Sequence, residues 1–114
     1  MFKLRGLLIL VCLLLVAAPI FAQDMEYTVN LASSDAGQYM VGPNGMTLYT
    51  FDHDTLDASN CSGRCLENWP ALTVDSADAL TADEAIPGEF GTITRADDNT
   101  IQVTYNGQPL YYWA

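Results

Sequence analysis

At 114 residues, with fourteen acids against four basic side chains and a net charge of −10 at pH 7, the chain has room for one domain at most and no basic face for nucleic acid. Two of its four cations, Lys3 and Arg5, sit at the very start, leaving only Arg64 and Arg95 and no lysine in the remainder. That remainder repels anionic lipid as well as phosphate backbones and suits a solvated extracytoplasmic protein.

In chain order, residues 1–22 read as a cleavable signal peptide. Lys3 and Arg5 form its basic start, residues 7–18 are an unbroken apolar run, Pro19 stops any helix, and Ala22 is a small residue suited to the position before cleavage. The run is shorter than the roughly 20 apolar residues of a membrane span, so a retained N-terminal anchor is the alternative and a transmembrane span in the mature form is not expected. Cys12 follows Val11 and precedes six more apolar residues, which is no place for a lipidated cysteine. Cleavage near Ala22 leaves residues 23–114, secreted or periplasmic, with two cations against fourteen acids, a net charge of −12. Two cysteines remain, Cys61 and Cys65, and an oxidising compartment makes a disulfide between them the expectation.

Residues 26–32 alternate Tyr27, Val29 and Leu31 against polar neighbours, a period-two strand, and residues 33–37 read as a polar turn. Two hairpins are predicted around Asn44-Gly45 and Asn106-Gly107, because Asn-Gly supplies the positive φ that a two-residue turn needs. That register sets Pro43 against Met46, Val41 against Leu48 and Met40 against Tyr49. In the second hairpin it sets Val103 against Leu110, Gln102 against Tyr111 and Ile101 against Tyr112. Each hairpin would then carry a Val–Leu pair on one face and a Tyr-x-aromatic pair on the other. Between them, residues 65–69 suit one helical turn ended by Pro70. Residues 75–86 are an acidic, Ala-rich helix or a mobile loop, and residues 89–94 start a strand that turns through residues 95–99 into residues 100–105. The fold class expected is mainly β: a small antiparallel sheet of repeated hairpins with a disulfide-bearing loop and little helix.

The two hairpins are copies of one another. Asn44-Gly45-Met46-Thr47-Leu48-Tyr49-Thr50-Phe51 and Asn106-Gly107-Gln108-Pro109-Leu110-Tyr111-Tyr112-Trp113 share N-G-x-x-L-Y-x-aromatic, and the first continues to Asp54. With Ser59-Asn60-Cys61-Ser62-Gly63-Arg64-Cys65, Asn68-Trp69-Pro70 and Thr94-Arg95-Ala96-Asp97, these blocks resemble the bacterial secreted lipoprotein repeat family, predicted lipoproteins with a Y-x-[FWY]-x-x-D motif. The resemblance covers most of residues 37–114. It implies an exported domain of unknown function, often in tandem, with no catalytic residues to carry over. Its motif falls here on Tyr49, Phe51 and Asp54, and on Tyr111 and Trp113. Family members run on past the second Tyr-x-aromatic pair to an aspartate, so a C-terminally truncated second copy is expected, as is the absence of a lipid anchor.

The candidate chemistry is sparse. Tyr49, Phe51 and Asp54 suit either an aromatic ligand platform or a structural corner, in which the carboxylate accepts bonds from a following turn or from a tyrosine hydroxyl. Asp52, Asp54 and Asp57 are closely spaced oxygen donors of the kind Ca²⁺ favours, but they lack the glycine and terminal glutamate of an EF-hand. Cys61-x-x-x-Cys65 matches neither a redox C-x-x-C pair nor a c-type haem site, and zinc would find a single histidine, His53. No nucleophile pairs with His53, so no catalytic residue and no cofactor are expected. Trp69 before Pro70 suits a core plug or a lid over the cysteine loop. The sequence therefore points to an exported non-enzymatic domain with a binding or envelope-structural role, its partner left open and an envelope protein one candidate. The alternative is a periplasmic redox or metal-associated accessory protein.

Overall fold

A computed structural model describes residues 25–114, so the signal-peptide expectation lies outside the described residues. Six short strands carry the architecture: β1 (Asn30–Ser34), β2 (Gly37–Val41), β3 (Thr73–Val74), β4 (Phe90–Thr94), β5 (Ile101–Tyr105) and β6 (Gln108–Pro109). One helical turn, α1 (Arg64–Asn68), and a 3-10 turn at Ala77–Ala79 complete it. The fold is mainly β, with small antiparallel sheets and the Cys61–Cys65 disulfide in a loop. Among the described residues, no helix is long and apolar enough to cross a membrane.

The first strand begins later than its alternation suggests. The Asn30 side chain bonds both the N–H and the carbonyl of Tyr27, at 3.0 and 2.7 Å, and this local alternative bends residues 27–28 out of the ladder. Val29 is fully buried and pairs with Ala82, while β1 turns at Asp35-Ala36 and pairs with β2 from Ser34↔Gly37 to Asn30↔Val41. Residues 75–86 are neither a full acidic helix nor a free loop. After the 3-10 turn, reciprocal bonds between Thr28 and Thr81 at 3.1 Å pin the segment, and Ile86 enters the core.

The two Asn-Gly hairpins fold differently. The second has the expected two-residue turn: Asn106 and Gly107 have φ of 50° and 81°, and Tyr105 faces Gln108. The first does not. A two-residue turn would make Pro43 one of its closing pair, and Pro43 has no N–H to donate. Gly42 closes the turn instead, donating to Met46 O and accepting from Gly45 N–H, each at 2.9 Å. This makes a three-residue loop with Gly45 alone at positive φ, 79°. The register slips by one, so Val41 faces Thr47 and Met40 bonds Leu48. A one-residue slip exchanges faces. Met40, not Val41, accordingly packs with Leu48 on the core, which corrects the expected Val–Leu pair.

The core comprises Val29, Leu48, Leu72, Ile86, Val103 and Leu110, with Met40, Phe90, Tyr105 and Tyr112 packed around them. Fully burying each aliphatic side chain contributes about 1.5–3 kcal/mol. β5 is the central strand of the larger sheet, with β4 along one edge and β3 and β6 sharing the other. β6 leaves β5 after Leu110, so the expected pairs Gln102–Tyr111 and Ile101–Tyr112 do not form. β3 takes that edge, as Thr73↔Gln102 and Val74↔Ile101. Residues 110–112 instead lie between the first hairpin and residues 70–72. Tyr111 bridges both Tyr49 and Ala71, and Tyr112 N–H donates to Pro70 O at 2.7 Å. Backbone hydrogen bonds therefore link the smaller sheet to the larger through the two tyrosines.

Candidate functional site

The residues of the motif converge where the two copies meet. Tyr49 and Tyr111, equivalent in the repeat, exchange both backbone hydrogen bonds, at 2.7 and 2.9 Å. Their side chains then part company. Tyr111 is 1% exposed and Tyr49 41%, so the two do not present one common aromatic face. The Tyr111 hydroxyl donates to Asp54 Oδ2 at 2.6 Å, while Asp54 Oδ1 accepts the Asn60 N–H at 2.6 Å. One carboxylate of the first copy thus holds both the turn that follows it and the tyrosine of the second copy.

The chain of bonds continues inward. Ser59 Oγ lies 2.5 Å from the Tyr111 hydroxyl and accepts from Arg95 Nη1 at 2.7 Å and from Cys61 N–H at 3.2 Å. With both lone pairs of Ser59 taken and the Tyr111 proton on Asp54, the Ser59 proton points to Tyr111. The direction is therefore Arg95 to Ser59 to Tyr111 to Asp54. Arg95 follows β4 and is 5% exposed. Its Nε donates to Asp97, Nη1 to Ser59 and to Gln102 Oε1, and Nη2 to Asp97 and to the Cys61 carbonyl. All five guanidinium N–H groups are occupied. The buried Gln102 amide passes the network on to Leu110 O at 2.9 Å, at the point where β6 leaves β5.

Electrostatics follow the same geometry. Burial, then the bond to Asp54, holds the Tyr111 phenol above its ordinary pKa, and the bond from Ser59 acts the other way. For Arg95, burial is the largest single influence and lowers its pKa. The Asp97 hydrogen bond and charge overcome it, and the net direction is up. The Arg95 hydrogen bond in turn draws Asp97 below the usual carboxylate range. Tyr112 is raised by burial.

The other candidates are placed apart from this network or at its edge. Cys61 and Cys65 form the disulfide, and the buried Cys61 presents its carbonyl to Arg95. The loop the disulfide closes is short, so chain entropy contributes only about 2 kcal/mol. Asp52 and Asp57 are exposed, Asp54 is engaged, and among the described residues no three His, Cys, Asp or Glu side chains gather as ligands for an ion. Exposed His53 lies against Phe51 at 5.1 Å. Trp69 is half-buried and stands outside the core cluster, so it is not a core plug. It stands in an aromatic row, edge-on to Tyr49 at 5.5 Å and 4.6 Å from the half-exposed Trp113. A cleft of about 380 Å³ opens beside Ser59, Arg95 and Asp97, but Arg95 has no N–H left to offer an anion there.

Ser59, Arg95 and Gln102 were not among the residues singled out from the sequence. Arg95 did carry a signal: it is one of two cations in residues 23–114 and is followed closely by Asp97 and Asp98. No curated protein and no solved structure matches the chain. A family model described as a secreted repeat of unknown function matches residues 30–73, from the start of β1 through the first motif and the disulfide loop to Thr73 of β3, with the second copy outside the matched span. Residues 30–73 are thus similar to a secreted repeat of unknown function.

Proposed function

We propose that this chain is an exported, non-enzymatic repeat domain that works through binding or as an envelope-structural element. The observation that carries the reading is the closed chain of bonds from Arg95 through Ser59 and Tyr111 to Asp54. A general acid, base or nucleophile needs a partner position free to face a substrate. Here Arg95, Ser59, Tyr111 and Asp54 are bonded to one another, as befits a tie between two copies. His53, the single histidine, has Phe51 as its aromatic neighbour and no nucleophile beside it in sequence. The acidic surface and the secreted character of the matched family support export.

The test is metal content and thiol state measured on one sample of the secreted full-length chain. The expected result is no stoichiometric metal, no shift of melting temperature with Ca²⁺, and a Cys61–Cys65 disulfide that glutathione does not open at cellular poise. One metal ion per chain, or rapid thiol exchange, would overturn the reading in favour of a metal or redox accessory protein.

A further inference from the structure

β5 is paired on both sides, whereas β4 is an edge of its sheet. Backbone bonds from Asn106 N–H to Glu89 O and from Arg95 N–H to Thr100 O, at 2.7 and 2.8 Å, frame the β4–β5 ladder. Antiparallel bonding alternates, so Gly91 and Ile93 bond β5, while Phe90, Thr92 and Thr94 turn their N–H and C=O groups to the outer edge. Among the described residues, these outward groups have no hydrogen-bond partner. Edge strands are usually guarded by lysine, proline, a bulge or an inward charge. Phe90-Gly91-Thr92-Ile93-Thr94 carries none of these, and its pairing with β5 is unbroken.

One face of β4 is closed, because Phe90 packs with Tyr105, at 4.9 Å, against the core. The face of Gly91 and Ile93 is open. The loop around Asp57 stands beside it and leaves two clefts, about 380 Å³ at Ile93 and Arg95 and about 290 Å³ at Glu89 and Gly91. Asp57 borders both, so together they line the strand from Glu89 to Thr94. The wall is fixed in place: Asp57 N–H donates to Gly107 O at 2.8 Å, and Leu56 lies against Gly107. Leu56, 73% exposed, offers apolar cover to whatever lies in the groove. The charge is one-sided. Glu89, Asp57 and Asp97 line the groove against one cation, Arg95, whose N–H groups are already taken.

We propose that β4 takes up an extended, basic strand of a partner protein. Its backbone pairs with Phe90, Thr92 and Thr94, and every second side chain, lysine or arginine, enters the groove between β4 and Asp57. Glu89, Asp57 and Asp97 select for that charge. A second copy of this chain is the wrong occupant, because β4-to-β4 pairing would bring two sets of these acids together. The proposal rests on the binding reading above and gives the partner's chemistry.

The test titrates the secreted chain calorimetrically with a synthetic heptapeptide of alternating lysine and valine. Its controls are the glutamate–valine counterpart and the lysine peptide N-methylated throughout its backbone. Saturable binding of the lysine peptide is expected, at least about tenfold tighter than either control. It weakens at least about tenfold in Thr92→Pro, which removes only an outward N–H, at a position where edge strands accept proline. It weakens about threefold in Asp57→Asn, since asparagine tolerates the φ of 57° at this position. No saturable heat at millimolar lysine peptide overturns the proposal, as does equal binding of either control. Unchanged binding by a Thr92→Pro chain that melts like wild type also overturns it, and if that variant does not fold the methylated peptide decides. Self-association of the chain alone, abolished by Thr92→Pro, would make a second copy the occupant and overturn it as well. Any of these in a metal-free, disulfide-closed chain removes the strand site and leaves the non-enzymatic reading in place.

Discussion

Asn44-Gly45 and Asn106-Gly107 are the same dipeptide at the same place in the repeat, yet only Asn106 takes positive φ. The residue before the dipeptide decides. Tyr105 has an N–H and can close a two-residue turn, whereas Pro43 has none and passes that role to Gly42. A turn signature is therefore a property of its flanks as much as of its centre. The second difference is polar. Gln102 stands where the first copy has Met40, and Arg95 where it has Ser33, so only the second copy has a buried hydrogen-bonding node. Near-identical motifs thus yield one hairpin tied into the interior through its tyrosine and one whose tyrosine faces solvent.

Four measurements break or sharpen this contrast. The largest effect is expected from Arg95→Ala, which strips donors from Ser59, Gln102 and the Cys61 carbonyl at once. Stability should fall by about 3–5 kcal/mol, read from the urea midpoint. A loss under about 1 kcal/mol would mean that the node is not what holds the second copy.

Next come the twin tyrosines. Tyr111→Phe leaves Asp54 and Ser59 without their partner and should cost about 1–3 kcal/mol, whereas Tyr49→Phe should stay within about 0.5 kcal/mol. Equal losses would erase the asymmetry. The same pair has a pH signature. The folded state raises the Tyr111 pKa, so its contribution is complete below the ordinary tyrosine value of about 10 and is lost as pH rises through the raised value. Alkaline melting curves of wild type and Tyr111→Phe should converge above about pH 10, and parallel curves would contradict the cause given for the shift.

The smallest effect compares the turns. Gly45→Ala and Gly107→Ala each place a side chain at positive φ, at about 1–2 kcal/mol. Gly107→Ala also meets Leu56, but that side chain is 73% exposed and can swing aside, so the gap should stay below about 1 kcal/mol in thermal melts.

Much of the fold was legible because it rests on local chemistry. The β4–β5 hairpin, the Asn106-Gly107 turn, the short helix before Pro70 and the disulfide all follow from residues close in sequence. The errors fall where local and distant demands compete. Asn30 turns its side chain onto Tyr27, Pro43 shifts a register, and β3 displaces residues 110–112 from β5. In the candidate site, the Asp54 carboxylate as acceptor for a following turn or a tyrosine hydroxyl was legible, but that the tyrosine is Tyr111 was not, because the two are 57 residues apart. Ser59 looked like one more loop serine, and its 36-residue separation from Arg95 gave it no local signature.

Those separations also bear on how the domain comes together. The bonds from Ser59 to Tyr111 and from Asp54 to Tyr111 close loops of 52 and 57 residues, while the β1–β2 and β4–β5 hairpins close on themselves. Long loops are entropically expensive to close before other contacts bring their ends together. In a chain threaded outward from its N-terminus, the first repeat can fold its own hairpin early, but its aspartate stays hydrated until residue 111 arrives. The clasp between the copies is thus the last latch of the domain, and it can engage only when both repeats have emerged.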